Sequence, residues 1–246
     1  MTPAVENSIE FGGERIAFIL ERTARRKTVA ISVGHEGVRV LAPSDLDDER
    51  IHAIVRKRGP WLLRKTLAFA ELGSNPVTRE YVGGETFHYL GRPYRLKVIP
   101  DEGAISTRIR LRGAWLEAPV LPDAAPLIRR SAIRSGLRQW YNQRAKKVFP
   151  ERAALVAKLI GIDKPSLQVV EQSKRWGSCN AKGLIRLNWR LVMAPLPLVD
   201  YVIAHEACHI LEHNHSRQFW RKLEIVMPDY ETRVRQLDRL GHLFVT

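Results

Sequence analysis

From Val202 to Ile210 the chain reads Val-Ile-Ala-His-Glu-Ala-Cys-His-Ile, with His205 and His209 four residues apart and Glu206 between them. On a helix, residues i and i+4 lie one above the other, so two imidazoles can point at one divalent cation. Glu206, one position round, falls where a base for a metal-held water belongs. Apart from Glu206 and the two histidines, no ionisable charge stands between Tyr201 and Leu211, as expected of a helix buried under an active-site floor.

Zinc in a hydrolase usually takes three protein ligands and keeps one position for water. His213, His215 and Glu224 are the candidates for the third. His213 is eight positions beyond His205, about 12 Å of helical rise, too far to share an ion at bonds of ~2 Å. The helix must therefore end first. Asn214 sits where such a break would fall, and Ser216 is suited to cap a second helix through Arg217–Leu223. The turn between them carries His215 back over the site, which favours it, with Glu224 as the alternative.

The positioning elements come from a chain of 246 residues, long enough for one large domain or two small ones. A hydrophobic content of 45% with 27% charged residues fits an ordinary globular protein rather than a disordered or collagen-like one. Met1–Asn7 has neither a basic nor an apolar run, and no stretch reaches membrane-spanning length, so the expected address is cytoplasmic, with no membrane partner. Two cysteines, Cys179 and Cys208, are too few for a disulfide framework and agree with a reducing compartment. The net charge is +14, and residues 119–246 carry 21 Lys and Arg against 11 Asp and Glu. Such a field attracts polyanions, whether nucleic acid or acidic protein.

Alternation predicts strands over 16–20, 28–33 and 37–41, the last two joined as a hairpin through Gly34-His35-Glu36-Gly37. Ser44 or Asp45 is placed to cap a helix from about Asp47 to Ala70, bent at Gly59-Pro60. A second β-rich stretch runs over 80–119, and residues 74–79 and 119–126 are the expected connections between units. No internal repeat is visible. Residues 124–160 read as one long or broken helix, with Ile133, Leu137, Trp140, Tyr141 and Val148 on one face. Its other face carries Arg129, Arg130, Arg134, Arg138, Arg144, Lys146 and Lys147 without an acid, and Arg130, Arg134 and Arg138 are the candidate contacts to DNA or another polyanion. Residues 166–170 and 184–191 read as strands flanking the 172–180 loop, a loop-bearing hairpin directly before the metal helix. Its edge would offer backbone groups to an extended peptide. Pro195 and Pro197 end that strand and start the helix.

Several separated stretches, Arg175-Trp176-Gly177-Ser178-Cys179, Leu187-Asn188-Trp189-Arg190-Leu191, Asp200–His209, and Asn214-His215-Ser216 followed by Phe219-Trp220, together resemble the YgjP-like metallopeptidases, relatives of the SprT-like zinc-dependent proteases. Ala207 stands where that pattern leads one to expect a larger aliphatic residue. The resemblance implies a zincin-like catalytic domain with one Zn2+ on His205, His209 and His215 and with Glu206 as catalytic acid–base.

The expected fold is thus α+β: a β-rich N-terminal region with one helix over residues 1–120, then a zincin-like metallopeptidase domain over 121–246 with a β-hairpin or sheet packed on the metal-binding helix. The expected function is zinc-dependent hydrolysis of a protein or peptide, with Glu206 taking a proton from a zinc-activated water. Arg175, Trp176, Ser178, Asn188 and Tyr230 are the candidate substrate-binding residues, Arg175 and Tyr230 as stabilisers of the oxyanion. Asn188, Glu212 and Glu224 are candidates to orient the imidazoles. Two other functions compete: a nucleic-acid-associated module with conditional proteolysis, and a zinc hydrolase acting on a nucleotide or phosphate ester.

Overall fold

The computed structural model describes residues 5–24, 27–34, 37–71, 79–104, 106–172 and 175–244. The chain is α+β and forms two compact units, Met1–Pro76 and Val77–Thr246. In the first, strands β1 (Val5–Phe11), β2 (Glu14–Thr23), β3 (Ala30–Gly34) and β4 (Gly37–Pro43) form one sheet in the order β1-β2-β4-β3. Ile16, Phe18 and Leu20 alternate with more exposed neighbours, so one sheet face is apolar. Helices α1 (Asp48–Lys57) and α2 (Gly59–Glu71) cover it through Ile51, Val55 and Leu62, all fully buried. The cap of α1 is Asp47, whose carboxylate accepts from the Arg50 N–H, rather than Ser44 or Asp45. The anticipated bend is a break between two helices: α1 ends before Arg58, and a Cβ on Gly59 would collide with the Phe11 ring. The hairpin of β3 and β4 is present, though His35 and Glu36 in its turn lie outside the described residues. So does most of the expected 74–79 connection.

The second unit opens with β5 (Thr86–Tyr89), β6 (Arg92–Pro100), β7 (Arg110–Arg112) and β8 (Trp115–Val120), ordered β5-β6-β8-β7. This repeats the first sheet. In both, the outer strands pair antiparallel and the central two parallel. Both first hairpins turn through two left-handed residues, Gly12 and Gly13 in one and Leu90 and Gly91 in the other, the backbone that a two-residue turn of a twisted hairpin requires. Gly37-x-x-Val40-x-Ala42-Pro43 and Gly113-x-x-Leu116-x-Ala118-Pro119 occupy matching places. The repeat is one of topology, marked in the sequence only by this short pattern.

Helix α3 (Pro126–Ile160) is continuous through Pro150. Its buried Ile133, Leu137, Tyr141 and Phe149 share one core with Phe87, Leu96 and Leu116 of the sheet and with the metal helix, α4 (Leu196–Leu211). That shared core is why the boundary falls at Pro76/Val77 and not at 120/121: the second β-rich stretch has no core of its own. Arg152 of α3 grips Asp200 of α4 with two hydrogen bonds, Nε to Oδ1 at 2.7 Å, fixing the metal helix against the long one.

The third sheet has the order β10-β11-β9, from β9 (Leu167–Val170), β10 (Gly177–Cys179) and β11 (Ile185–Asn188). β9 and β11 are parallel, so the expected hairpin across the 172–180 loop is absent; the hairpin is β10 with β11. The strand expected through Leu191 stops at Asn188, whose side chain accepts from the Arg190 N–H and starts a 3₁₀ turn over Trp189–Met193. Leu90 and Gly91 donate their N–H groups to the Val192 and Met193 carbonyls of that turn, just ahead of α4. After α4 come α5 (Arg217–Val226) and α6 (Tyr230–Leu240). Among the described residues no helix is long and apolar enough to cross a membrane.

Candidate metal centre

Helix α4 is hydrophobic nearly all round, and Val202, Ile203, Ala204, Ala207 and Cys208 are buried, so His205 and His209 emerge from a packed element. The helix stops at Leu211, and Ser216 caps α5 by accepting from the Phe219 N–H. The short segment between them returns His215 to the two helical histidines. One nitrogen from each of the three imidazoles lies within 4.8 Å of the others. The Nε2 atoms of His205 and His215 are 2.9 Å apart. His209 donates Nδ1–H to the Glu212 carbonyl at 3.0 Å, which leaves its Nε2 with the lone pair. Glu212 thus orients an imidazole as expected, but with its main chain; its carboxylate faces Lys222. Glu224 is outside the histidine group and exposed.

All three rings rest on one side chain. The fully buried Phe219 has its ring centroid 5.0 Å from that of His205, 4.6 Å from His209 and 4.8 Å from His215. Trp220 stacks on His215, and Tyr230 stacks on Trp220. The imidazoles therefore have an apolar floor on one side and an open cleft of about 530 Å³ on the other, lined among others by Arg175, Ser178, Cys179, Glu206 and His213. Burial, reinforced by the neighbouring His215 and His209, pushes His205 down to about 4. Its ring is neutral at physiological pH, with one nitrogen lone pair available to a cation. Three convergent nitrogen donors with solvent access fit zinc.

Glu206 is buried on the same helix, against β10. Burial pushes its carboxyl up to about 7, opposed by the Arg175 charge and a hydrogen bond from the Cys179 N–H. There is no room between strand and carboxylate: a Cβ on Gly177 would sit 2.8 Å from both Cγ and Oε1 of Glu206. Gly177→Ala must push that carboxylate aside, and displacements of about 1 Å cost on the order of 100-fold in rate. For the zinc hydrolase expected from the sequence, the outcome would be a loss of that size in kcat with zinc content unchanged, measured by steady-state kinetics and metal analysis. Phe219→Leu keeps an apolar residue but removes the shared floor, and should weaken zinc binding roughly 10–100-fold, as loss of a ligand-orienting group does. Competition with a chromophoric chelator measures it; unchanged affinity would show that the rings hold their places without Phe219.

The other expected site residues divide. Arg175 and Ser178 line the cleft, and Trp176 lines an adjoining recess. Asn188 does not: it is buried, and its Nδ2 donates to the Gln172 and Arg175 carbonyls, tying down the loop that carries Arg175. Tyr230 lines neither recess; it buttresses Trp220. Arg130, Arg134 and Arg138 are exposed on α3 and line neither. Arg130 donates to the Arg79 carbonyl, and Arg138 joins Arg190 in pairing with Glu171. No site role is expected from the sequence for Gly177, Cys179 or Phe219, and His213, set aside there as a ligand on helical geometry, lines the cleft. Phe219 left a signal of its own, three residues after the Ser216 cap on the face that α5 turns inward, whereas Gly177 and Cys179 are marked only by the Arg175–Cys179 stretch.

No curated protein matches the chain. Among solved structures, that of the metallopeptidase zymogen of Pyrococcus abyssi abylysin matches at 20% identity, over 38% of this chain and 96% of that one, with a TM-score of 0.36. The description of the YgjP-like metallopeptidase domain matches residues 27–240, most of the described chain and the whole of the histidine site. With a match of that extent, the chain belongs to the YgjP-like metallopeptidase family.

Proposed function

We propose that the chain hydrolyses peptide bonds at a single zinc ion held by His205, His209 and His215, with Glu206 as general base and acid. The observation that carries this reading is the convergence of three imidazole nitrogens within 4.8 Å, beside a carboxyl whose ordinary acidity is weakened by burial. When bound there, zinc supplies a Lewis acid that polarises the scissile carbonyl and lowers the pKa of water. Glu206 accepts the proton of the attacking water and passes it to the leaving amine. Arg175 faces the same cleft and supplies positive charge where the carbonyl oxygen becomes anionic.

In this reading the unit is zincin-like, with the β10–β11 hairpin laid against the metal helix and the substrate laid along β10. Trp176 and Asn180 spend their carbonyl and N–H on β11, so the alternate residues Gly177 and Cys179 turn their backbone groups outward. The Cys179 N–H is on Glu206. The remaining outward groups of this edge strand suit an extended peptide. An unfolded protein such as casein should be cleaved by the zinc-loaded chain and spared after chelation, with cleavage restored by zinc. Nucleotide or phosphate-ester turnover in its place would replace the peptidase reading.

A further inference from the structure

Beside the metal cleft lies a second recess of about 280 Å³, and the two share Arg175, Gly177, His205 and Glu206. Glu206 therefore borders the open cleft and this recess at once. The rest of its wall is Trp176, Tyr201 and Val202 with Val234, Leu237 and Asp238 from α6, mostly hydrocarbon and aromatic ring. The wall is braced. The Trp176 ring meets Phe244 edge-on at 5.9 Å, Gly241 passes so close that a Cβ there would lie 3.1 Å from Trp176 Cζ2, and Leu237 is buried. Of the four ionisable lining residues, His205 and Glu206 stand where the recess meets the metal cleft, and Arg175 and Asp238 are exposed to solvent.

An apolar cavity of about 150 Å³ already accepts benzene, so the space here suffices for a leucine, methionine or phenylalanine side chain. The side formed by Val202, Val234 and Leu237 offers a charged or amide side chain only hydrocarbon in exchange for the water it would lose. We propose that this recess is the specificity subsite: it takes an apolar side chain from the substrate residue next to the scissile bond, with α6 as the wall that sets its size. The proposal rests on the peptidase reading above and adds to it a preference at one substrate position.

The discrimination expected from a pocket of this kind is about 10–200-fold per methylene-sized difference. Blocked peptides that differ only at one residue, Leu, Phe, Ala or Asp, supply the test, with cut sites located by mass spectrometry. The zinc-loaded protein should favour Leu or Phe directly beside the cut by at least about 10-fold over Ala and more over Asp. Val234→Trp fills the recess from its half-buried rim and should reduce the Leu-to-Ala ratio of kcat/KM by about 10-fold or more. Leu237→Ala enlarges it and should shift the optimum toward Phe. Equilibrium binding of the same peptides to zinc-loaded Glu206→Gln, with and without Val234→Trp, reads the subsite without turnover. An identical side-chain profile in the parent and both variants, all folded by circular dichroism, overturns the subsite while the peptidase stands. Absence of any cleavage overturns the peptidase, and the binding series then decides the recess alone: apolar preference lost with Val234→Trp supports it, and binding indifferent to the side chain sinks it.

Discussion

Glu206→Gln should leave zinc affinity near that of the parent protein and lower kcat by roughly 100- to 10,000-fold, the range that a positioned acid–base group contributes. Gln keeps the shape of the side chain and can still accept the Cys179 N–H, so the packing against Gly177 survives. What it lacks is the capacity to take a proton from water and return one to the amine. Because the carboxylate lies outside the three-nitrogen group, the ion should stay when it is replaced. Kinetics on a peptide that the parent cleaves, together with metal content, separate the two effects. Parent-level turnover in Glu206→Gln would remove this side chain from the chemistry, and loss of zinc would make it a ligand.

The elements that hold this site differ in how much of them the sequence disclosed, and the difference follows interaction range. Helix α4 and the position of its two histidines depend on residues four apart, and the end of α4 and the start of α5 depend on a cap three residues from its target. All of this is local: α4 and the Ser216 cap of α5 are found where the sequence places them, α4 ends at Leu211, short of the break expected at Asn214, and His215 lies beside His205. The sense of β9 against β11 is not local. Four-residue strands carry the same alternation whether they run parallel or antiparallel, so the sequence allowed a hairpin where the chain makes a crossover.

The same distinction accounts for the misplaced boundary. Residues 86–120 look like a self-contained β stretch, yet their apolar face shares its core with Ile133, Leu137 and Tyr141 of α3 and with the Trp189–Met193 turn. Asn188 was read as a contact to substrate from its place beside the site, whereas its amide is committed to loop carbonyls that only the folded chain brings near. Phe219 and the α6 wall reach the site through tertiary packing from a helix that carries one ligand at its approach and from another that carries none. Charge patterning marked the α3 arginines as available, but Glu171, far away in sequence, neutralises part of that stripe.

His215→Ala should abolish tight zinc binding while the fold persists. The side chain is exposed and lies on the short segment between α4 and α5, so its removal opens no cavity in the core. It does remove one of three donors, a larger loss than the roughly 10–100-fold that follows removal of a group orienting a ligand. Binding linkage makes the consequence visible without a substrate. At free zinc about 100 times the dissociation constant, an ion that binds only the folded chain adds ~2.7 kcal/mol of stability. Zinc should therefore raise the melting temperature of the parent and of Glu206→Gln but leave His215→Ala nearly unmoved. The two variants then fail for separable reasons, one with the ion and without the base, the other with the base and without the ion. Undiminished zinc stabilisation in His215→Ala would mean that the third donor is another side chain, and the exposed His213 on the cleft wall would be the first to replace.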